Sequence, residues 1–304
     1  MSNKLQISRR TLLGIGGAVA AAYPFSNPFA AFAKPQAAGA GALKIDKDVV
    51  VGKAGDKDLR VDVYRPPAGA EKHMALIHLH GGGFARGSKD TLGPQLTPIT
   101  MRGYVSIAVE YRLSGDAKWP AQMEDMKNVI AWTRANASSL GIDPNRIATV
   151  GYSAGGLLAL VAAGNSDAKI AACVAFYPVA EPSLSDPWTP GLLGPGANPA
   201  ALAAASPLTY IKAGYPPTIV YHGLADTTVP PDSSLHLLQA LRTAGGPCEL
   251  HTFAGVPHVF DSNPEFARAC APLTDFFIDR YVINPRTYPA FGGQGGGSGP
   301  ATTR

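Results

Sequence analysis

The feature of this sequence that most constrains its fold is an alternation of short apolar runs with stretches of helical character. Beyond residue 45, the runs with the length and composition of strands lie at 46–52, 59–64, 74–79, 104–109, 147–150, 171–176, 217–221 and 248–253. The first two are close enough to form an antiparallel hairpin, and the later ones are separated by segments with helix signals. We therefore predict an α/β fold in which a mostly parallel, eight-stranded sheet is flanked by helices.

Three of the intervening segments carry clear helix signals. One begins at Pro120, has apolar residues at a spacing of three to four, and is expected to end near Gly141. A second begins at Asp232, which we expect to be its N-cap, and a third begins near Pro264. The sequence shows no internal repeat and no second core, so we predict a single domain over residues 45–283.

Composition and charge limit the class of protein. Of the 304 residues, 46% are hydrophobic and 16% are charged, against a usual charged share of roughly 25% in soluble domains. This apolar content excludes a polar disordered chain. The formal charge is +4, but the basic excess is concentrated in the first 33 residues, and the remainder has 23 basic and 22 acidic residues. No basic stripe remains, so nucleic-acid binding is not indicated.

Residues 1–33 have the features of an export signal. Arg9 and Arg10 precede an uncharged apolar stretch, and the small-x-small string at 31–33 is typical of a cleavage site. The arginine pair and its neighbours resemble a twin-arginine signal, which a receptor of the export machinery reads. We expect a periplasmic or extracellular mature protein in which residues 34–44 form a linker. The alternative is a retained membrane anchor, which the glycines and prolines of the segment disfavour.

Two further segments depart from the alternation of strands and helices. Residues 181–200 contain several prolines and are predicted to form an irregular excursion after the sixth strand. Residues 284–304 include a glycine-rich string, which is typical of a flexible tail. Neither segment is expected to contribute to the sheet.

The three cysteines match neither a disulfide framework nor a zinc site. Cys173 lies in an apolar run and is predicted to be a small buried side chain. Cys248 and Cys270 could pair after export, and the sequence leaves this open. No pattern of a thiol nucleophile is present, and no metal or organic cofactor is implied.

Residues 151–155, Gly-Tyr-Ser-Ala-Gly, fit the pattern G-x-S-x-G between the strand at 147–150 and a helical stretch. In that context the serine lies on a sharp, strained turn that exposes its oxygen. Glycines are needed on both sides because a side chain there would collide with the neighbouring strand or helix. Ser153 is therefore the predicted nucleophile. The alternative is a glycine-rich turn whose serine only caps the helix.

A glycine run follows the third strand, where His80 precedes Gly81, Gly82 and Gly83. Such a run lets backbone N–H groups face a bound oxygen. In acyl transfer, each fixed donor aimed at the oxyanion is worth roughly 2.7–4 kcal/mol of barrier. The pattern predicts an oxyanion hole formed by Gly82, Gly83 and Ala154. A phosphate-binding loop is disfavoured because no Lys-Ser/Thr pair follows the glycines.

A serine nucleophile requires a base, and the base requires an acid that orients it. His258 follows the last predicted strand and Asp226 follows the one before it. These two residues are the predicted base and acid. Asp232 is the competing acid, although its place before an apolar helix favours an N-cap. Of the other histidines, His78 and His222 are expected to be structural and His80 to brace the glycine loop, and the rest have no supporting context.

Together these motifs resemble the α/β-hydrolase esterases related to hormone-sensitive lipase and to the feruloyl and acetylxylan esterase group. The resemblance covers about residues 45–283 and includes the chain order of nucleophile, acid and base. It implies the α/β-hydrolase fold and a serine carboxylesterase that cleaves a small-molecule ester through an acyl-enzyme. Phe84, Tyr152 and Trp188 are the candidate substrate-binding residues.

One departure from the hormone-sensitive-lipase relatives concerns the cover of the site. Only 46 residues separate the expected mature N-terminus from His80, which leaves room for two strands but not for the cap helices typical of those relatives. A reduced cap would come from residues 181–212, with Trp188, Leu192 and Leu193 as candidate pocket residues unless they only pack this segment on the body. An open site of this kind favours small or extended substrates.

Two alternatives to an esterase stay open. An amidase such as an arylformamidase, or a peptidase, would use the same groups, because ester and amide cleavage differ only in protonation of a poorer leaving group. A hydrolase-fold binding protein without catalysis is disfavoured because all the catalytic elements are present. The sequence determines neither the acyl and alcohol groups of the substrate nor the oligomeric state.

Overall fold

A computed structural model describes residues 43–288 of the chain. Within this range eight strands form one sheet in the order β1-β2-β4-β3-β5-β6-β7-β8. The strands are β1 (Lys44–Ala54), β2 (Lys57–Arg65), β3 (Ala75–Leu79), β4 (Val105–Val109), β5 (Ile147–Tyr152), β6 (Ala172–Phe176), β7 (Thr218–Gly223) and β8 (Cys248–Phe253). The predicted signal at 1–33 lies outside the described residues, as do most of the predicted linker and tail.

The sheet confirms the predicted α/β fold. β1 and β2 form the expected antiparallel hairpin, β2 pairs antiparallel with β4, and the strands from β4 to β8 are parallel. Every residue of β3, β4, β5, β6 and β7 is buried, because helices cover both faces of a parallel sheet. The continuous apolar runs in the sequence are thus explained by two apolar cores, one on each face.

In the described part of the chain, eight helices follow or connect the parallel strands. They are α1 (Gly93–Thr100), α2 (Ala121–Ala135), α3 (Ala137–Leu140), α4 (Ala154–Gly164), α5 (Thr189–Leu193), α6 (Pro199–Ala205), α7 (Asp232–Thr243) and α8 (Pro264–Ile278). No helix within residues 43–288 is long and apolar enough to cross a membrane.

The helix predicted from Pro120 to near Gly141 is interrupted. α2 ends at Ala135, because Asn136 leaves helical geometry (φ −101°, ψ 16°) and its side-chain amide donates to the carbonyl of Trp132 at 2.8 Å. The chain then forms the separate turn α3, which ends where Gly141 adopts a left-handed φ of 72°. A polar side chain that bonds back to the helix therefore divides one predicted element into two.

The prediction that Asp232 is an N-cap is wrong. α7 begins at Asp232 itself, and the preceding Pro231 already has helical backbone angles (φ −58°, ψ −25°). The proline ring fixes φ near the helical value and extends the helical geometry by one residue toward the N-terminus. Among the described residues, no side chain caps this end of α7.

The segment between β6 and β7 forms the reduced cap. It contains α5, α6 and a single helical turn at Pro207–Tyr210, so the excursion predicted to be irregular includes one short helix that the sequence analysis missed. Leu192 is fully buried, and Leu193 packs against the core below it. These two leucines hold the cap on the body of the domain.

The three cysteines are free thiols. Cys173 is fully buried in β6, as its apolar run predicted. Cys248 lies in β8 and Cys270 in α8, and the pairing that the sequence left open is not present between them. Burial raises the pKa of the Cys173 and Cys270 thiols to about 12, which makes both unreactive as nucleophiles.

Candidate active site

The turn between β5 and α4 carries Ser153 in a strained conformation. Its φ of 54° and ψ of −116° are rare for a residue with a side chain. The backbone N–H of Ser153 donates to the carbonyl of Phe176 on the neighbouring strand at 3.0 Å, which holds the turn in place. The side chain is thereby presented at the carboxyl end of the parallel strands.

The glycines on either side of this turn are required by close approach. A Cβ atom on Gly151 would lie 2.1 Å from the carbonyl oxygen of Gly155, and a Cβ on Gly155 would lie 2.1 Å from that of Leu79. Either contact is far inside van der Waals distance, so only glycine fits at both positions. We expected a side chain at either position to collide with its neighbours, and the structure identifies the colliding atoms as these two carbonyl oxygens.

Ser153, His258 and Asp226 are joined by hydrogen bonds. The Nε2 of His258 lies 2.9 Å from the Oγ of Ser153, and its Nδ1 lies 2.6 Å from the Oδ2 of Asp226. The loops after β5, β7 and β8 carry these residues, and the ends of parallel strands meet at one edge of the sheet. The histidine contacts Asp226 and not the competing Asp232.

The carboxylate of Asp226 is held by several donors. Its Oδ1 accepts from the backbone N–H groups of Thr228 and Val229 at 2.8 and 2.9 Å, and its Oδ2 lies 3.3 Å from the Nε2 of His222. Burial by itself favours the neutral acid. The contacts with His222, His258 and the Val229 N–H outweigh burial and hold the pKa of Asp226 well below its usual range. Asp226 is therefore ionised at neutral pH and able to orient a histidine.

The role of His222 was only partly anticipated. We expected a structural histidine, and its side chain is fully buried. Its Nε2 donates to the carbonyl of Val229 at 3.0 Å beside Asp226, and its Nδ1 lies 2.6 Å from the Oγ of Ser234. The spacing of four residues between His222 and Asp226 is the only sequence signal of this contact.

The glycine loop supplies unpaired backbone donors. Among residues 43–288, the N–H groups of Gly82, Gly83 and Ala154 donate no hydrogen bond. Gly82 (φ 121°) and Gly83 (φ 62°) have left-handed backbones that glycine adopts without strain. The loop is closed by the N–H groups of Ala85 and Arg86, which both donate to the carbonyl of Gly82 at 3.2 Å. Gly82, Gly83, Ala154 and Ser153 thus line one pocket.

His80 braces this loop from behind. Its ring stacks on that of Tyr111 with 4.3 Å between centroids, and its Nδ1 donates to the carbonyl of Gly81 at 2.8 Å. The hydroxyl of Tyr111 in turn donates to the carbonyl of His80 at 2.8 Å. Burial lowers the pKa of His80, so the ring is neutral and serves as a support.

The pocket in front of Ser153 has a volume of about 570 Å³. Phe84, Tyr152 and Trp188 all line it, and the rings of Phe84 and Trp188 are 5.1 Å apart. Tyr152 is only 3% exposed, because its hydroxyl points inward to the Nδ1 of His78 at 3.2 Å. Sequence analysis missed other lining residues, which have no motif to mark them: Arg86, Thr91, Gln95, Val179, Asp186 and Thr228.

Known proteins resemble this chain in sequence and in structure. Esterase LipQ of Mycobacterium tuberculosis is 29% identical over 242 residues, which is 70% of this chain and 57% of LipQ. The propionate-bound structure of the thermophilic esterase Est2 of Thermogutta terrifontis is 30% identical, with a TM-score of 0.66 over 83% of this chain and 99% of Est2. The butyrate-bound form of Est2 is 28% identical, with a TM-score of 0.65 over the same shares.

These comparisons agree with the fold and with the order of the motifs. The present chain spans little more than half the length of LipQ and nearly the whole of Est2. The model of the family described as BD-FAE matches residues 61–241, which is more than half of the chain and includes Ser153 and Asp226. The protein has the α/β-hydrolase fold and belongs to the BD-FAE family.

Proposed function

We propose that this protein is a serine carboxylic-ester hydrolase that acts on short-chain or aryl esters through an acyl-enzyme. The observation that carries the proposal is the hydrogen-bonded chain from Ser153 through His258 to Asp226, beside the unpaired N–H groups of the glycine loop. Esterases with related sequence and structure support the same chemistry.

The reaction begins at the Oγ of Ser153. As Oγ attacks the ester carbonyl carbon, its proton moves to the Nε2 of His258, and the ionised Asp226 stabilises the imidazolium through Nδ1. The carbonyl oxygen becomes an oxyanion, for which Gly82, Gly83 and Ala154 supply N–H donors. When the intermediate collapses, the C–O bond to the alcohol breaks and His258 returns its proton to the alcohol oxygen.

Water completes the cycle. It attacks the acyl carbon and transfers a proton to the Nε2 of His258, and a second oxyanion forms in the same place. The ester bond to Ser153 then breaks, and His258 returns the proton to the Oγ as the carboxylic acid leaves. Every proton in both halves passes through one imidazole, so the position of His258 controls the rate of each half.

The preference for short-chain or aryl esters rests on the pocket. The described cap consists of two short helices and one turn, and the pocket measures about 570 Å³, with Trp188 in its wall and the fully buried Phe84 packed against that ring. The related Est2 structures hold propionate and butyrate, which are short acyl products of the kind proposed. Export under the signal at 1–33 is a further part of the proposal, and the N-terminal mass of the secreted protein tests it.

A fluorophosphonate probe tests the hydrolase assignment directly. We expect the purified protein to be labelled at Ser153, identified by peptide mass, and to release p-nitrophenol from acetate, propionate and butyrate esters. Ser153→Ala should lose both the label and the turnover while retaining its fold. Labelling elsewhere, or equal turnover by Ser153→Ala, would show that the proposal is wrong. Matched anilides of the same acids separate an esterase from an amidase.

A further inference from the structure

Behind the imidazole of His258 lies a second side chain that the mechanism above does not use. The ring of Tyr177, just after β6, meets that of His258 nearly edge to face, with 4.6 Å between centroids. Tyr177 is 1% exposed and has a left-handed φ of 38°, which is unusual for a bulky residue and persists only where the surroundings hold it.

The hydroxyl of Tyr177 donates to the Oδ1 of Asp261, which lies three residues after His258. Asp261 is 1% exposed, and burial raises its pKa to about 6. Asp261 therefore links the loop that carries His258 to the Tyr177 ring that packs on His258. No step of the proposed reaction requires this buried acid.

The loop needs such a tie. Val259 follows His258 directly and has a φ of 59°, a strained value for a β-branched residue. The next residue, Phe260, is buried and packs on the ring of Tyr177 with 5.4 Å between centroids. Tyr177 therefore contacts His258, Phe260 and Asp261, and it serves as a common support for the whole loop.

Asp261 also has polar neighbours besides Tyr177. The side chain of Asp261 lines a small pocket of about 20 Å³ together with those of Gln95 and His78, and contact with Gln95 favours its ionised form. A buried carboxyl is unfavourable by itself. Asp261 nevertheless lies beside the base, where it holds the hydroxyl of the ring that packs on His258.

We propose that Asp261 is a positioning residue, which fixes the hydroxyl of Tyr177 so that the ring of Tyr177 keeps His258 in place during hydrolysis of the acyl-enzyme. The inference rests on the proposed function. In the free enzyme, His258 has two anchors, Ser153 on Nε2 and Asp226 on Nδ1. In the acyl-enzyme the Oγ of Ser153 is esterified and has no proton to donate, so the anchor on Nε2 is lost and packing by Tyr177 matters most.

The consequence is a kinetic signature that a purely structural role would not produce. If deacylation slows while acylation does not, the acyl-enzyme accumulates, and kcat and KM fall together. We expect Tyr177→Phe to lower both by about tenfold and to change kcat/KM less than twofold. Rates are expressed per active site titrated with the fluorophosphonate probe, so a variant that folds incompletely is still measured correctly.

Three companion variants complete the test. Asp261→Asn retains an oxygen that accepts from Tyr177 and should keep kcat within about threefold of wild type, whereas Asp261→Ala should match Tyr177→Phe. Adding Asp261→Ala to Tyr177→Phe should cause no further loss, because both act through one contact. Tyr215→Phe is the matched control: its buried hydroxyl donates to the carbonyl of Leu160 at 2.6 Å, and we expect its kcat per site to be unchanged.

The results separate this inference from the proposed function. A wild-type protein that is not labelled at Ser153 overturns the function itself. If the wild type is labelled and active, the inference is overturned by any of three results: Tyr177→Phe with an unchanged kcat, a fall in kcat/KM as large as the fall in kcat, or additive losses in the double variant.

Discussion

The Nε2 of His222 lies 3.3 Å from the Oδ2 of Asp226, the same oxygen that lies 2.6 Å from the Nδ1 of His258. The Nε2 of His222 also donates to the carbonyl of Val229 at 3.0 Å, and its Nδ1 lies 2.6 Å from the Oγ of Ser234. A second, fully buried imidazole thus contacts the same carboxylate oxygen as the base. Both neighbours favour the ionised form of Asp226.

Removal of His222 should weaken both stability and catalysis. His222→Phe keeps a ring of similar size but leaves the Val229 carbonyl and the Ser234 hydroxyl without partners, which we expect to lower the free energy of unfolding by about 1–3 kcal/mol. kcat should also fall, because Asp226 becomes less firmly held. Urea unfolding and titrated rates measure the two effects. His236→Phe, at an exposed position paired with Glu181, should leave both quantities unchanged, and equal losses in the two variants would contradict the assignment.

The identity of the acid is tested by a pair of amide substitutions. Asp226→Asn removes the charge that stabilises the imidazolium and should lower kcat by about 10⁴-fold, as the analogous change does in a serine protease. Asp232→Asn, at the start of α7, should retain the wild-type kcat. Steady-state kinetics on p-nitrophenyl propionate is sufficient for this comparison. A large loss in Asp232→Asn with a small one in Asp226→Asn would reverse the assignment of the acid.

The tight turn at Ser153 predicts that the effect of a glycine-to-alanine substitution depends strongly on its position. Gly151→Ala places a Cβ 2.1 Å from the carbonyl oxygen of Gly155, and we expect it to destabilise the protein by about 1–3 kcal/mol or more and to displace the nucleophile. At Gly115 a Cβ meets no atom within 4 Å, so Gly115→Ala should be close to neutral. Thermal unfolding and probe labelling report the two effects, and a stable, fully labelled Gly151→Ala would contradict the geometry.

Two buried groups that line the same small pocket, His78 and Asp261, should have opposite effects on the pH dependence of stability. Burial lowers the pKa of His78 to about 3, from an ordinary value of 6.5, and raises that of Asp261 to about 6, from 3.8. Between pH 4 and 6 the unfolded chain binds a proton on His78 that the folded protein does not bind, which favours unfolding as the pH falls. In the same range the folded protein binds a proton on Asp261 that the unfolded chain does not, which favours folding as the pH falls.

These two contributions should nearly cancel in the wild-type protein between about pH 4 and 6. Asp261→Asn removes the second contribution, so its free energy of unfolding should fall about 1.4 kcal/mol per pH unit more steeply than that of the wild type as the pH decreases. Chemical denaturation at a series of pH values gives the difference. Asp56→Asn, at an exposed position, should follow the wild type, and parallel profiles for Asp261→Asn and the wild type would show that Asp261 is not protonated in this range.

Much of the fold follows from local patterns. The apolar runs and the helix signals between them predicted all eight strands, because a strand that is buried on both faces of a parallel sheet is a nearly continuous apolar run in the sequence. The predictions of helix ends were less accurate. The sequence gives only a weak signal for the side-chain contact of Asn136 that ends α2, and for the helical backbone angles of Pro231 before α7. The two glycines around Ser153 were also predictable, since both belong to the G-x-S-x-G pattern, although the atom that excludes a side chain from Gly155 is the carbonyl oxygen of the distant Leu79.

Sequence alone determined the fold class and nominated Ser153, Asp226 and His258, because each belongs to a local motif at the end of a strand. Only the tertiary structure decided what surrounds them. His258 reaches Ser153 across 105 residues, and Asp261 reaches Tyr177 across 84. Such contacts depend on the order of strands in the sheet and on loop conformations held by packing, and neither leaves a periodic signal in the chain. The support behind the base is therefore visible only in three dimensions.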